Sequence, residues 1–499
     1  MKKLNTIVMF AMVLGVLHSC KKGNLDVENV NNPDLAQVYA TKENIEATAS
    51  GLYNTLYQAS HSENGVQPML STASDNYTCS WGNFGMRDMS WEPRDFAWTN
   101  TAAYSYNTQT NTYYDNIYKA IVPATNIITS INGGKIVFTA AEAARAKAFC
   151  RFAMGVAYGN LALVFDRTFI VDETKTTEGK LSAASPYKEV AAAAIKYLDD
   201  AIAISTATSF TVPKAWLGTS ADLSSADFVK LCNTSAARIL AYLPRTKTEL
   251  AAVDWAKVKT YADAGITTDF NVVVDDVVWY DNSAYYLGAG NSTWGLTDMY
   301  VVHMLDPVTQ PAHWDDTAAF PYPPKSTNPL DKRLNTDFAY VTSNGFQVAR
   351  GYYHFSSYRN TRYDFIYAGD WTGSKPEIMK AENDMIRAEA RAYTSDPAGA
   401  ATIINAGTYI TRGQMTPVAS VQADVINAIH HERSVELIHT GANISFYEMR
   451  KLDLLQKGTP LHLPLPAKLL EKMEEAAPYY TFGTTAKADG IGTSNKGWR

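Results

Sequence analysis

PEIMKAENDMIRAEARAY, residues 376–393, is the stretch whose reading decides the fold. It is predicted as one amphipathic helix over its whole length, with Glu382, Arg387 and Glu389 as charges that pair with neighbouring helices rather than with a ligand. The same period continues beyond it, predicting helices at 397–410, 421–439 and 444–455. It also recurs at the other end of the chain. Thr41 opens a helix with Glu43 in its first turn and Ile45, Ala49, Leu52 and Leu56 at helical spacing. A helix at 112–131 carries Tyr114, Ile117, Ile121 and Ile128 on one stripe, with Pro123 as an expected kink. The capping box Thr139 to Glu142 starts a third, and 185–204, 225–243 and 254–265 follow, separated by Gly/Pro/Ser-rich turns.

Between these two helical regions the period disappears. Residues 270–375 hold 21 aromatic residues and six prolines, with short alternating pieces at 271–274 and 346–350 that read as strands. A second aromatic cluster, 11 rings in residues 75–118, also falls largely between helices. Helical hairpins that cannot bury an apolar face alone stack into a solenoid, as tetratricopeptide units do, so the fold class expected is mainly α: stacked helix pairs with a loop-rich, aromatic-rich irregular insertion. The organisation expected is one body over 41–499, helical at 41–60, 112–265 and 376–457, with aromatic loop regions at 61–111 and 266–375 and a tail at 458–499.

The N-terminus reads differently. Lys2 and Lys3 precede an apolar run at 7–17 and then Leu17-His18-Ser19-Cys20, a small-residue cleavage site ending in cysteine. The run is too short to span a bilayer and reads as a secretory signal, 1–19, followed by a polar leash, 20–40. The ending resembles a bacterial lipobox, which makes Cys20 the lipidated first residue of the mature chain. Of 499 residues 46% are hydrophobic and 19% charged, with a net charge of -6, so an ordered globular body is expected and no basic footprint for nucleic acid exists. Cys79, Cys150 and Cys232 are widely spaced and form neither a disulfide framework nor a zinc pattern. No phosphate loop or other cofactor motif appears.

The chain resembles the SusD/RagB family of outer-membrane nutrient-uptake lipoproteins nearly end to end. Ala49-Ser-Gly51-Leu52-Tyr53 is similar to its first-helix signature, Tyr118-Lys-Ala-Ile121 with Asn126 to its second, and Ala144–Ala148 with Phe149 and Arg151-Phe152 to its third. Asp331-Lys332-Arg333-Leu334, Glu377–Glu382 with Ile386–Ala390, and Glu432-Arg433 with Glu436-Leu437 resemble its later motifs. Thr440-Gly441, Phe446–Arg450 and the ending after Pro466 depart from the pattern. The resemblance implies a tetratricopeptide-like right-handed stack of helix pairs whose loops bind an oligosaccharide, or in some members a peptide, in a surface lipoprotein that works with a SusC-like TonB-dependent transporter.

Sugars present apolar faces edged by hydroxyls, so their capture needs exposed rings flanked by polar side chains. The candidates are Trp81 and Trp98 in the first cluster and Trp279, Tyr280, Trp294 and Trp314 in the second, beside Asp281, Asn282, Asn291, Asp298, Asp315 and Asp316. The competing role for such rings is to pin long loops onto the helical stack. A hydrolase needs two carboxylates facing each other across a bond; the adjacent pairs Asp275-Asp276 and Asp315-Asp316 point to opposite faces of an extended chain. His430-His431-Glu432 lacks the second histidine of a metalloprotease helix, and its charges read as pairs within the helix. Binding without catalysis is therefore expected. Cys20→Ala should remove the protein from the outer-membrane fraction; a variant still retained there after a high-salt wash refutes the anchor.

Overall fold

Thr41 caps the first helix as its position predicts, its hydroxyl accepting the Asn44 N–H at 3.2 Å. The computed structural model describes residues 38–90, 98–174, 183–312, 323–343, 345–347, 349, 354–481, 492–494 and 497–498. Cys20, Trp314, Asp315 and Asp316 lie outside the described residues. The first helices are α1 (Lys42–Ser50) and α2 (Leu52–His61), joined at Gly51. Then come α3 (Asn107–Asn132), which runs through Pro123, and α4 (Ala140–Val164), opened by the predicted capping box: Glu142 N–H to the Thr139 hydroxyl at 3.3 Å and Thr139 N–H to the Glu142 carboxylate at 2.9 Å. The helical series continues with α5 (Tyr187–Ala207), α6 (Ser225–Tyr242) and α7 (Trp255–Asp263). After the irregular middle, where Asn282–Tyr286 forms the one-turn helix α8, come α9 (Lys380–Tyr393), α10 (Pro397–Ala406), α11 (Gln422–Val435) and α12 (Ile444–Lys451).

Neighbours in sequence are neighbours in space: α3 packs on α4, α4 on α5, α5 on α6, α6 on α7, and α9 on α7, α10 and α11. Small residues set the close approaches. At Gly155 a Cβ would fall 2.6 Å from Leu198, and at Gly159 it would fall 2.4 Å from Ile239. One continuous apolar core runs from Ile45 through Phe149, Phe152 and Tyr242 to Phe446. Among the described residues no helix is long and apolar enough to cross a membrane, and Cys79, Cys150 and Cys232 are buried cysteines outside any disulfide.

The strands are short. Phe270–Val274 (β2) pairs antiparallel with Gly373–Ile378 (β4), while Tyr77–Thr78 (β1) pairs with Leu296–Thr297 (β3). This corrects the start of the long C-terminal helix. Residues 376–378 are strand, because Pro376 faces Asn271 and Ile378 faces Phe270, and the helix begins only at Lys380. Gly407 likewise ends α10 early, and α11 and α12 stop at Val435 and Lys451. Phe346 and Gln347 belong to no strand.

Charge orders the C-terminal helices. Arg333, wholly buried, meets Asp331 at 2.6 Å, Glu432 at 2.5 Å and Glu436 at 2.9 Å. Arg433 bridges Glu389 of α9 and Glu448 of α12 at 2.8 and 2.7 Å, and Lys451 repeats the bridge at 2.6 and 3.1 Å. Arg238 of α6 holds Glu382 with two contacts of 2.7 Å. Arg387 reaches Asp263 of α7 at 3.0 Å. Glu382, Arg387 and Glu389 thus join neighbouring helices as expected. The charges of α11 do not pair within it: Glu432, Arg433 and Glu436 all point to other elements, since a buried charge is satisfied only where geometry brings its counter-charge. Replacing Arg333 with Met should lower the unfolding free energy by about 3–5 kcal/mol in chemical denaturation, because three carboxylates are left buried around an uncharged chain; wild-type stability in that variant refutes the account.

Candidate functional site

The antiparallel register of β1 and β3 sets Tyr77 opposite Thr297 and Thr78 opposite Leu296. Trp81, just after β1, and Trp294, just before β3, therefore arrive side by side. Their ring centroids are 5.8 Å apart and nearly perpendicular. Trp294 meets Tyr286 at 5.8 Å, Tyr286 meets Phe84 at 4.5 Å and Tyr285 at 5.6 Å, and Tyr285 meets Trp371 at 4.9 Å. All six rings are half-buried, so each keeps part of its surface toward solvent. Residues more than 200 apart in sequence form one aromatic cluster.

Specific contacts hold these rings. Trp81 donates its indole N–H to the Gly345 carbonyl at 2.8 Å, and a Cβ at Gly345 would fall 2.3 Å from the Thr293 carbonyl oxygen, so only glycine lets the three strands of chain close up. Gln347 adds a backbone N–H to the Ser80 hydroxyl at 3.0 Å. Tyr285 and Tyr286 ride on α8, whose cap is Asp281: its carboxylate accepts the Ala284 N–H at 3.0 Å. Asp281 is itself buried against Lys375 of β4 and, at 3.1 Å, His61 at the end of α2. His61 also contacts Glu377 at 2.7 Å. Burial disfavours the imidazolium, but Glu377 and Asp281 outweigh it and raise the His61 pKa to about 9. Burial works the other way on Asp281, where Lys375 and His61 hold the carboxyl well below the usual range.

The predicted site residues separate into two kinds. Trp81 and Trp294 are in the cluster. Trp98 and Trp279 are corrections: they are 3% and 7% exposed and belong to the core. Trp98 packs on Tyr104 at 6.0 Å. Trp279 lies among Tyr53 and Tyr57, flat over Gly218, where a Cβ would meet the ring at 2.6 Å. The cause is local: the Asp275 carboxylate accepts the N–H groups of Val277, Val278 and Trp279 at 2.8–3.0 Å, and this turn directs the indole inward. Tyr280 is half-buried at the margin, its backbone carbonyl accepting from Gln58 at 3.3 Å. Asp281 and Asp298 are buried helix caps rather than edge groups. Phe84, Tyr285, Tyr286 and Trp371 join the cluster without being among the predicted rings; the adjacent tyrosines beside Asp281 and Asn282 are the sequence signal for two of them.

Among the described residues no two carboxylates face each other across the cluster. Asp275 is committed to its turn, and the charged groups of α11 to the buried network. Asp75, Asp298 and His354 lie with their ligating atoms within 4.8 Å of one another. Trp498 donates to Asp75 at 2.6 Å, Gln456 bonds Asp75 at 3.1 Å and His354 at 3.3 Å, and Asp298 caps Tyr300 at 2.8 Å, so this trio is knit into the core by hydrogen bonds.

Solved structures share this fold. A SusD superfamily protein from Bacteroides vulgatus aligns with a TM-score of 0.59 at 14% identity, covering 87% of this chain and 97% of its own. A SusD-like carbohydrate binding protein from the same organism aligns at 0.56 with 18% identity, covering 85% of each. A SusD superfamily protein from Bacteroides thetaiotaomicron aligns at 0.55 with 14% identity over 82% of this chain and 89% of its own. No family model matches the sequence, and no curated protein does. The mainly α, helix-pair fold expected from the sequence is the fold of these structures.

Two measurements check the assignments here. Trp279→Ala should cost about 3–5 kcal/mol of stability as a core truncation, whereas Trp294→Ala should cost far less; equal losses in thermal melts contradict the division into core and surface rings. His61 has a folded pKa near 9 above its unfolded value near 6.5, so its contribution is full below pH 6.5 and is lost as pH rises through 9. Unfolding free energy should therefore fall between pH 7 and 9.5, and His61→Gln should flatten that slope.

Proposed function

We propose that the chain is a cell-surface glycan-binding protein and that the Phe84–Tyr286–Trp294–Trp81 cluster, with Tyr285 and Trp371, is its sugar-binding surface. The observation that carries this reading is the convergence of half-exposed rings from two distant segments on one face. Rings in such a cluster cover the apolar faces of pyranose units, and the side chains of Glu63, Asn282 and Gln347 supply hydrogen bonds at its margins. The SusD-like carbohydrate binding protein whose fold this chain shares supports the ligand class.

In this reading Cys20 is lipidated and anchors the chain to the outer membrane facing outward, and residues 20–40 form the leash. A SusC-like TonB-dependent transporter receives the captured oligosaccharide. No residue of the cluster acts as an acid, base or nucleophile, so the ligand leaves chemically unchanged.

The test is retention of a panel of oligosaccharides and peptides by the body of the chain. Oligosaccharides should be retained without new reducing ends, and Trp81→Ala, Tyr286→Ala or Trp294→Ala should each weaken binding about five- to tenfold, a loss of about 1 kcal/mol per ring. Peptide retention that depends on the same rings reassigns the ligand; release of sugar products reassigns the protein as a hydrolase.

A further inference from the structure

Among the described residues Glu63, beside the ring cluster, has no counter-ion. It sits half-exposed in the turn after α2, where its Oε2 accepts the Asn282 amide at 3.0 Å and the Ser62 hydroxyl at 3.5 Å, and its Oε1 accepts the Asn64 amide at 3.3 Å. None of these partners is positive. The Ser283 hydroxyl donates to the Ser62 carbonyl at 2.9 Å, so the turn is clamped to the start of α8 and the carboxylate moves with Tyr285 and Tyr286. After burial, the charge of Glu63 is the next cause raising the pKa of both the Tyr280 and Tyr286 hydroxyls, so its charge is felt at both phenols.

Among the described residues the other charges near the cluster have partners of their own, Asp370 beside Trp371 accepting the Thr372 N–H at 3.2 Å and hydroxyl at 2.8 Å. Arg359 forms a two-point pair with Asp364 at 2.7 and 2.6 Å. Lys375 is buried against Asp281, and Arg87 acts on the neighbouring Asp88. The carboxylate of Asp275 is satisfied by three backbone N–H groups. Among the described residues Glu63 is thus a charge without a cationic partner that an incoming ligand meets.

Building on the glycan-binding reading above, we infer that Glu63 selects the charge class of the ligand: it accepts hydroxyl groups of uncharged oligosaccharides and turns away saccharides bearing carboxylate or sulfate groups. An ionised carboxylate is an acceptor only, with two oxygens that match a pair of neighbouring sugar hydroxyls. The ionised group of an acidic sugar has no proton to offer it, and a saccharide bearing one brings like charge toward like charge. The chain's net charge of -6 works in the same direction.

The experiment uses matched oligosaccharide pairs that differ only in charge: methyl-esterified and free oligogalacturonate, and dextran oligomers without and with sulfate. Wild-type protein should retain the uncharged member about three- to tenfold better, the effect of one like charge across several ångströms of partly hydrated surface. Glu63→Gln keeps the Asn282 contact and should close that gap with an unchanged melting temperature. A wild type that prefers the acidic members, or a gap that survives Glu63→Gln, overturns the inference. Trp294→Ala separates the two levels of failure. If that variant loses glycan binding while the gap survives Glu63→Gln, only the role of Glu63 falls; if it binds as wild type does, the ring cluster is not the site and the inference falls with it.

Discussion

Three carboxylates converge on one guanidinium that water does not reach. Asp331 and Arg333 belong to the irregular middle of the chain, while Glu432 lies in the last turn of α11 and Glu436 caps its end, and the contacts between them are 2.5–2.9 Å. One cation cannot balance three anions, so further partners close the set: Arg412 reaches Glu436 at 2.5 Å, Arg362 reaches it at 3.1 Å, and His431 meets Asp331 at 2.8 Å. Such a network adds modestly to stability when complete and costs heavily when one member is missing. Its effect is to dictate arrangement. The middle of the chain can dock on the C-terminal helices in the one way that brings all of these groups together.

The same logic is repeated toward the ring cluster. His61, Asp281, Lys375 and Glu377 come from α2, the cap of α8 and β4, and they are packed beneath the segment that bears Tyr285 and Tyr286. The imidazolium is retained because two carboxylates outweigh the penalty of burial. A hydrogen-bonded charge cluster of this kind tolerates little sliding, so α8 has a defined position even though it is a single turn long. An aromatic surface assembled on fixed supports loses little conformational entropy when a ligand lies across it.

Much of this architecture was legible in the residues. Thr41, the Thr139–Glu142 capping box and the helical stripes between them mark where helices begin, and the order of the motifs from Ala49 to Leu437 pointed to the fold that solved structures share. Glu382, Arg387 and Glu389 were readable as joints between helices because charges on an otherwise apolar face need partners. Helix 376–393 was read too long, since nothing local to Pro376–Ile378 shows that residues 270–274 will pair with it.

The site was legible only as a pool of rings. Trp81, Trp98, Trp279 and Trp294 stand in similar company along the chain: aromatic, loop-rich and flanked by polar residues. What separates them is tertiary. Trp279 is turned inward by a backbone cap on Asp275 and received by Gly218, whereas Trp294 is carried outward by the β1–β3 pairing to meet Trp81. Caps, periodicity and binary pattern act over a few residues and can be read from one sequence. Burial of a given ring, the partner of a given charge and the register of two strands depend on segments hundreds of residues away. Those were decided when the chain closed on itself.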